Sequence, residues 1–315
     1  MAFVPSHTMH PITQRLIERS PDRLRPAVTL VVATVDDAID DRVPGLAAEI
    51  AFFVLLSLPP LMVTVLSGVG VVGDLFGANW AIEVAADIRS AAGAVLSEST
   101  VTDTIDPLLD ALLRDARGSV LTVGFVLTFV SASRAIRVVT TAITIAYDLE
   151  ETRTGLQQRL WGYGLTVGVI LASISLLPLV VAGPSFGGTV EEWLGVSGIA
   201  TTWRVLYWPL AAVVVTALTA VLYHLAAPWW TPWHRDLPGA ALAMLLGLLG
   251  SLGLRVYLGR LLGTDSGYDP IAGPLAVLLW FYVSAFAVLL GAELNAEIER
   301  LWPSRRDSAE SSDGQ

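Results

Sequence analysis

Six stretches of the chain stay apolar on every face for about 20 residues or more, the length an α-helix needs to cross a bilayer. They predict spans over residues 46–72, 119–147, 161–182, 203–227, 237–262 and 271–297. Between residues 26 and 41 the pattern changes. Val28, Val31, Val32, Val35 and Ile39 recur at helical spacing against Asp36, Asp37, Asp40 and Asp41, which predicts an amphipathic helix lying along the membrane surface. The stretch 74–118 repeats this pattern around Trp80–Leu96 and Ile105–Leu113, as expected of helices that cap the outer surface. The expected fold class is all-α, a polytopic six-transmembrane-helix bundle with amphipathic surface helices in the N-terminal arm and first outer loop. In domain terms, 1–45 is read as a cytoplasmic arm, 46–300 as the membrane domain and 301–315 as a disordered cytoplasmic tail.

Composition sharpens this picture. The 315 residues are 54% hydrophobic and only 15% charged, with a mean hydropathy of +0.63, whereas soluble domains carry about a quarter charged residues. The bilayer is the expected solvent, and membrane lipids are the first expected partners. Every basic residue is Arg, and the net charge is −10. The loop 74–118 is acid-rich against Arg89, Arg114 and Arg117, which argues against a nucleic-acid partner, since binding phosphates requires a basic surface. Outside the spans, Arg15, Arg19, Arg23, Arg25, Arg42, Arg153, Arg159, Arg235, Arg300, Arg305 and Arg306 fall on the side of the termini. The opposite loops hold those three arginines alone, so the positive-inside rule places both termini in the cytoplasm of a bacterial or archaeal plasma membrane. The first 45 residues lack the apolar core of a cleavable signal, and the first span is expected to direct insertion.

The chain has no Cys, which excludes disulfides, thiol catalysis and Cys-ligated metals. His7, His10, His224 and His234 are scattered without metal-ligand spacing, and neither a phosphate-cradling loop nor a dinucleotide fingerprint occurs. No catalytic residue, metal or cofactor is therefore expected, and the chain does not read as an enzyme.

What chemistry there is lies inside the spans. Arg134 and Arg137 sit at i and i+3 in the second span, where scales put an Arg at mid-helix at about 2.5–3.5 kcal/mol. With the deduced orientation, Glu49 near the inner end of span one and Glu293 and Asn295 near the inner end of span six reach the same depth. Glu49, Arg134, Arg137, Glu293 and Asn295 thus form a candidate intramembrane polar cluster, either a structural ion-pair set or a binding site. Ser57 with the pair Pro59-Pro60 predicts a kink or break in span one, because proline removes a backbone donor. Trp280 and Gly291 in the last span, and Gly247 and Gly250 in the fifth, read as packing positions. The link Pro228–Gly239, with three Trp and Arg235, reads as an interfacial anchor.

Several of these stretches together resemble the YihY/BrkB family of membrane proteins, once called ribonuclease BN. Ala47-Ala-Glu-Ile-Ala-Phe52-Phe53 with Leu56-Ser57-Leu58-Pro59 is similar to the family's first helix. Ser131-Ala-Ser-Arg134-Ala-Ile-Arg137 with Tyr147-Asp-Leu-Glu150-Glu151 is similar to its second helix and connector. Leu237-Pro238-Gly239-Ala240 resembles the start of the fifth helix, and Leu279-Trp280 through Leu290-Gly291-Ala292-Glu293-Leu294-Asn295 the last one. Two positions depart from it: Ala272 precedes Gly273 where the family has Tyr-Gly, and Glu49 stands where a small or neutral residue is usual. The resemblance implies a six-helix inner-membrane protein, with envelope- or lipid-related transport and serum resistance among the proposed roles. Intramembrane charge with proline-interrupted helices suggests a transporter or flippase-like protein for an anionic amphiphile or small solute. The alternative is a non-transporting membrane scaffold or envelope-assembly partner, and the oligomeric state is left open.

Overall fold

A computed structural model of the chain describes residues 21–22, 24–76, 118–147, 155–183, 186–194, 198–226, 232–262 and 269–302, together with single residues between 86 and 107. The described residues form no strand. Eight helices account for nearly all of them: α1 Arg25–Asp40, α2 Val43–Phe76, α3 Gly118–Ala146, α4 Gly155–Ala182, α5 Phe186–Leu194, α6 Ile199–Ala226, α7 Leu237–Leu262 and α8 Asp269–Leu301. The surface helices expected at Trp80–Leu96 and Ile105–Leu113, and the tail 303–315, lie outside these residues except for isolated positions, two of which, Arg89 and Asp106, pair at 2.5 Å.

Among the described residues, five helical stretches are long and apolar enough to cross a membrane: Val43–Thr64, Thr122–Ala146, Ile199–Ala226, Trp233–Tyr257 and Pro274–Leu301. The expected sixth corresponds to α4, a helix of 28 residues, of which Arg159–Ala172 is an apolar stretch among the residues described in full. Gly183, at φ 55°, closes α4 in the left-handed conformation that glycine adopts without steric cost. The outer loop expected after it contains the short helix α5. Glu191 of α5 accepts the Ala200 N–H at 2.7 Å and so satisfies one of the open donors at the start of α6.

Pro59 and Pro60, where a kink or break is expected, lie inside α2, which continues helically through both. Side-chain hydroxyls reinforce the backbone on either side, Ser57 donating to the Val54 carbonyl at 2.6 Å and Thr64 to the Pro60 carbonyl at 2.7 Å.

The contacts divide the chain into two compact units, 1–47 with 137–248 and 284–315, and 48–136 with 249–283. In the second, Gly124 of α3 meets α2, where an added Cβ would lie 2.9 Å from the Thr64 hydroxyl and 3.3 Å from the Pro60 carbonyl. Trp280 donates to the Ser251 hydroxyl at 3.2 Å, and a Cβ on Gly250 would collide with Val283. In the first unit, Gly239 of α7 and Gly291 of α8 face each other so closely that a Cβ on either would collide with the other's carbonyl oxygen. Gly247, by contrast, faces open space. Small residues are the usual means by which membrane helices approach, since lipid supplies no hydrophobic force between them.

The N-terminal helix α1 is amphipathic as expected, beginning with Pro26 in its first turn, where proline's missing donor costs nothing. Its Ala33, Thr34 and Ala38 are buried, while Val31, Val35 and Ile39 are exposed. Asp37, read from the sequence as part of the solvated face, instead turns toward the bundle. At the junction with α2, Arg42 holds φ 57°, an unusual value for a residue with a side chain.

Candidate functional site

The second predicted span delivers its arginines as α3. Arg134 is exposed, with its guanidinium 4.7 Å above the Phe53 ring. Arg137 is half-buried, lies 5.8 Å from the Tyr163 ring centre and rests along Gly162, where a Cβ would come within 2.8 Å of its Cγ. A guanidinium over an aromatic face gains about 0.5–2 kcal/mol from the ring quadrupole and remains free to accept an anion on its other face. Neither arginine makes an ion pair among the described residues. Glu49 is exposed on α2 and Glu293 is buried on α8, and among the described residues no ion pair joins Glu49 to Arg134 or Glu293 to Arg137. The ion pairs that do form run through other cations.

Those cations belong to the polar end of the first unit, where α8 presents Glu293, Asn295, Glu297, Glu299 and Arg300. Arg300 donates through Nη1 to Asp37 of α1 and, at 2.6 Å, to Glu297, and through Nη2 to the Ala146 carbonyl at the end of α3, 2.9 Å away. One guanidinium thus ties three helices together with charge-assisted bonds. Arg235, in the turn before α7, donates to Glu299 and to the Trp302 carbonyl at 2.5 Å. His224 Nδ1 lies 3.2 Å from Asp236 Oδ2. Burial, and after it the nearby carboxylates of Asp236, Glu299 and Glu293, raises the Tyr147 phenol above its ordinary pKa, so the hydroxyl keeps its proton.

Asn295 has a defined job here. Its Oδ1 accepts the Gly239 N–H at 2.7 Å and its Nδ2 donates to the Asp236 carbonyl at 3.1 Å, so a side chain of α8 satisfies the open N-terminus of α7. The reciprocal glycines set the spacing that lets it reach. Tyr223 of α6 adds a third tie, donating to the Val288 carbonyl at 2.5 Å. Two carboxyl oxygens in this region, Glu293 Oε2 and Asp236 Oδ1, are buried without a hydrogen-bond partner. No group of three or more acidic or histidine side chains suited to a metal ion occurs among the described residues.

Sequence reasoning missed Asp37, Arg235, Asp236 and Arg300 as members of the polar end. Two signals were available: Asp236 stands directly before Leu237-Pro238, the pattern of a helix N-cap, and Arg300 follows Glu297 at i+3.

A cavity of about 520 Å³ opens between α4 and α6 in the first unit. Gly164, Leu165 and Gly168 form one wall and Leu218, Leu222 and Leu225 the other. At one end the Trp161 indole N–H donates to the Leu225 carbonyl at 3.2 Å and joins the two walls. A Cβ on Gly164 or Gly168 would meet no atom within 4 Å, so the glycines leave this space open rather than fill it with a helix contact.

A family model described as Virulence factor BrkB matches residues 34–315. Among curated proteins the chain is 26% identical to the "Putative ribonuclease-like protein YfkH" of Bacillus subtilis, over 81% of this chain and 89% of that one. It is 27% identical to the "UPF0761 membrane protein Smlt0865" of Stenotrophomonas maltophilia, over 90% of this chain but 63% of that protein's length. A "UPF0761 membrane protein" of Xanthomonas oryzae is 34% identical over 41% of this chain and 29% of its own. No solved structure matches.

Proposed function

This chain belongs to the BrkB family of membrane proteins, and from that premise we propose that it is a transporter or flippase-like protein for an anionic amphiphile or small anionic solute. The observation that carries the reading is the pair Arg134 and Arg137 on a membrane-crossing helix, each resting on an aromatic ring without a carboxylate partner among the described residues. Ionisable groups at membrane depth are costly, and they mark substrate and ion pathways when they are not consumed by structural pairs. An anion presented to these guanidinia supplies the missing countercharge. In this reading the protein lies in the plasma membrane with both termini cytoplasmic, as the distribution of arginines between the two sides supports, and its work is translocation rather than covalent chemistry.

Reconstitution tests the proposal. Purified protein in liposomes is expected to redistribute a fluorescent anionic phospholipid between leaflets, and Arg134→Ala with Arg137→Ala to slow it about tenfold, the factor equivalent to 1.4 kcal/mol of lost interaction. Wild-type protein that moves neither labelled lipid nor small anions would sink it. A scaffold role is the second reading, favoured by the cross-ties of Asn295, Arg300 and Arg235 at one end of the bundle. A stoichiometric protein partner recovered with a flux-inactive wild type would support that role instead.

A further inference from the structure

We infer that Glu293 is a proton-binding site: it holds a proton in the native protein and exchanges it with water by way of the carboxyls of Glu297 and Asp37. This goes beyond the transport reading and does not rest on it. Three observations converge. First, Glu293, Glu297 and Arg300 stand at i, i+4 and i+7, the spacing that puts three side chains on one face of α8. Glu293 is the innermost of them, about 12 Å along the helix from the end of the membrane-crossing stretch Pro274–Leu301 at 1.5 Å per residue. It is only 1% exposed, and its Oε2 has no hydrogen-bond partner.

Second, the cations around it are already committed. Asp37 of α1 and Glu297 both accept from the same nitrogen, Arg300 Nη1, while Nη2 donates to the Ala146 carbonyl. Among the described residues no ion pair joins Glu293 to Arg300. The charges that bear on Glu293 are Asp37 and Asp41 from α1 and the residue after it, and Glu297 and Arg300 from its own helix. From the end of α3 comes Tyr147, a buried phenol that keeps its proton. The remaining charged groups of this end are engaged with one another, His224 with Asp236 and Arg235 with Glu299. An ionised Glu293 would therefore add a buried carboxylate to a guanidinium that two carboxylates share, and a buried charge without a partner neutralises instead. One proton makes the side chain neutral and turns an acceptor-only carboxylate into a donor.

Third, the proton has a way out. Glu293 and Glu297 are buried, Asp37 is half-buried and Asp40 is exposed, so acidic groups step from the sealed position to the surface. On release the O–H bond of Glu293 breaks, the proton passes to a carboxylate of this line and then to water, and a negative charge stays on Glu293. That charge appears beside Arg300, the residue that ties α1, α3 and α8 together, so proton release acts on the tie itself. Acidic side chains at membrane depth that face the bundle interior are used as proton relays.

The test is infrared spectroscopy of the purified full chain, in which protonated carboxyls and carboxylates absorb separately. At neutral pH wild type is expected to show a protonated-carboxyl band that Glu293→Gln loses and Glu293→Asp retains. Stability gives a second readout. Above the ordinary glutamate pKa of about 4.3, a native state that holds a proton the unfolded chain has released loses stability as pH rises, about tenfold in the unfolding equilibrium per pH unit, until the native site lets the proton go. Glu293→Gln, neutral at every pH, should lack that part of the slope. The site is overturned if wild type has no protonated-carboxyl band at neutral pH, or if Glu293→Gln keeps the band and the slope of wild type. Should Glu293→Gln fail to fold, wild type labelled with carbon-13 in its glutamate carboxyls decides: a band that shifts with the label supports the assignment, and one that does not overturns it.

Discussion

Two sets of arginines in this protein are used in opposite ways. Arg300 and Arg235 each bind a carboxylate and a backbone carbonyl, and Arg300 adds a second carboxylate, so their donors are spent on holding helix ends together. Arg134 and Arg137 lie over the rings of Phe53 and Tyr163 and spend nothing on a carboxylate among the described residues. The same side chain in similar apolar surroundings is structural in one place and available in the other. What decides is whether a neighbouring helix brings a carboxylate or an aromatic face to it.

The largest effect that separates them is expected from Arg300→Ala. Removing one partner of a fully buried ion pair costs about 3–5 kcal/mol, and this part-buried set should lose somewhat less. Here Asp37 and Glu297 both lose their cation and the Ala146 carbonyl loses its donor. Thermal unfolding in detergent is expected to show a clear loss, partly restored by adding Asp37→Asn and Glu297→Gln. A melting temperature equal to that of wild type would break the contrast at its structural end.

Next in size is Asn295→Ala. It leaves the Gly239 N–H without its acceptor and the Asp236 carbonyl without one of its donors, and a buried polar group left unsatisfied costs about 1–3 kcal/mol. Asn295→Leu, branched at Cγ like asparagine but without its polar atoms, should lose the same two hydrogen bonds. Amide exchange at the start of α7 is expected to rise in either variant while the far end of that helix stays protected. Uniform exchange along α7 would show that Asn295 is not its cap.

The helices themselves were legible because apolar length is written directly into the chain; the predicted 237–262 coincides with α7. Partnership was not, because it depends on rotation about each helix axis and on which helices become neighbours. Glu293 and Arg137 share a depth by residue count, yet the cation that α8 uses is its own Arg300, one turn from Glu297. Gly250 and Gly247 look alike in sequence, but only Gly250 faces another helix, and the cavity glycines Gly164 and Gly168 carried no signal at all. At Pro59-Pro60 the helix continues through two residues that donate no backbone N–H, and the hydroxyls of Ser57 and Thr64 add bonds to the Val54 and Pro60 carbonyls on either side.

The smallest effect on stability, and the sharpest test of the comparison, is expected from Arg134→Ala. An exposed guanidinium stacked on a half-buried ring contributes about 0.5–1 kcal/mol, well below the loss expected at Arg300. If Arg134 is held available for an anion, Arg134→Ala should unfold within a few degrees of wild type while anion or lipid movement falls. Arg134→Lys keeps the charge but gives up the planar face that stacks on Phe53, so it should retain part of the flux. If Arg134→Ala instead melts as far below wild type as Arg300→Ala does, both arginine sets are structural, and the distinction between spent and available cations fails.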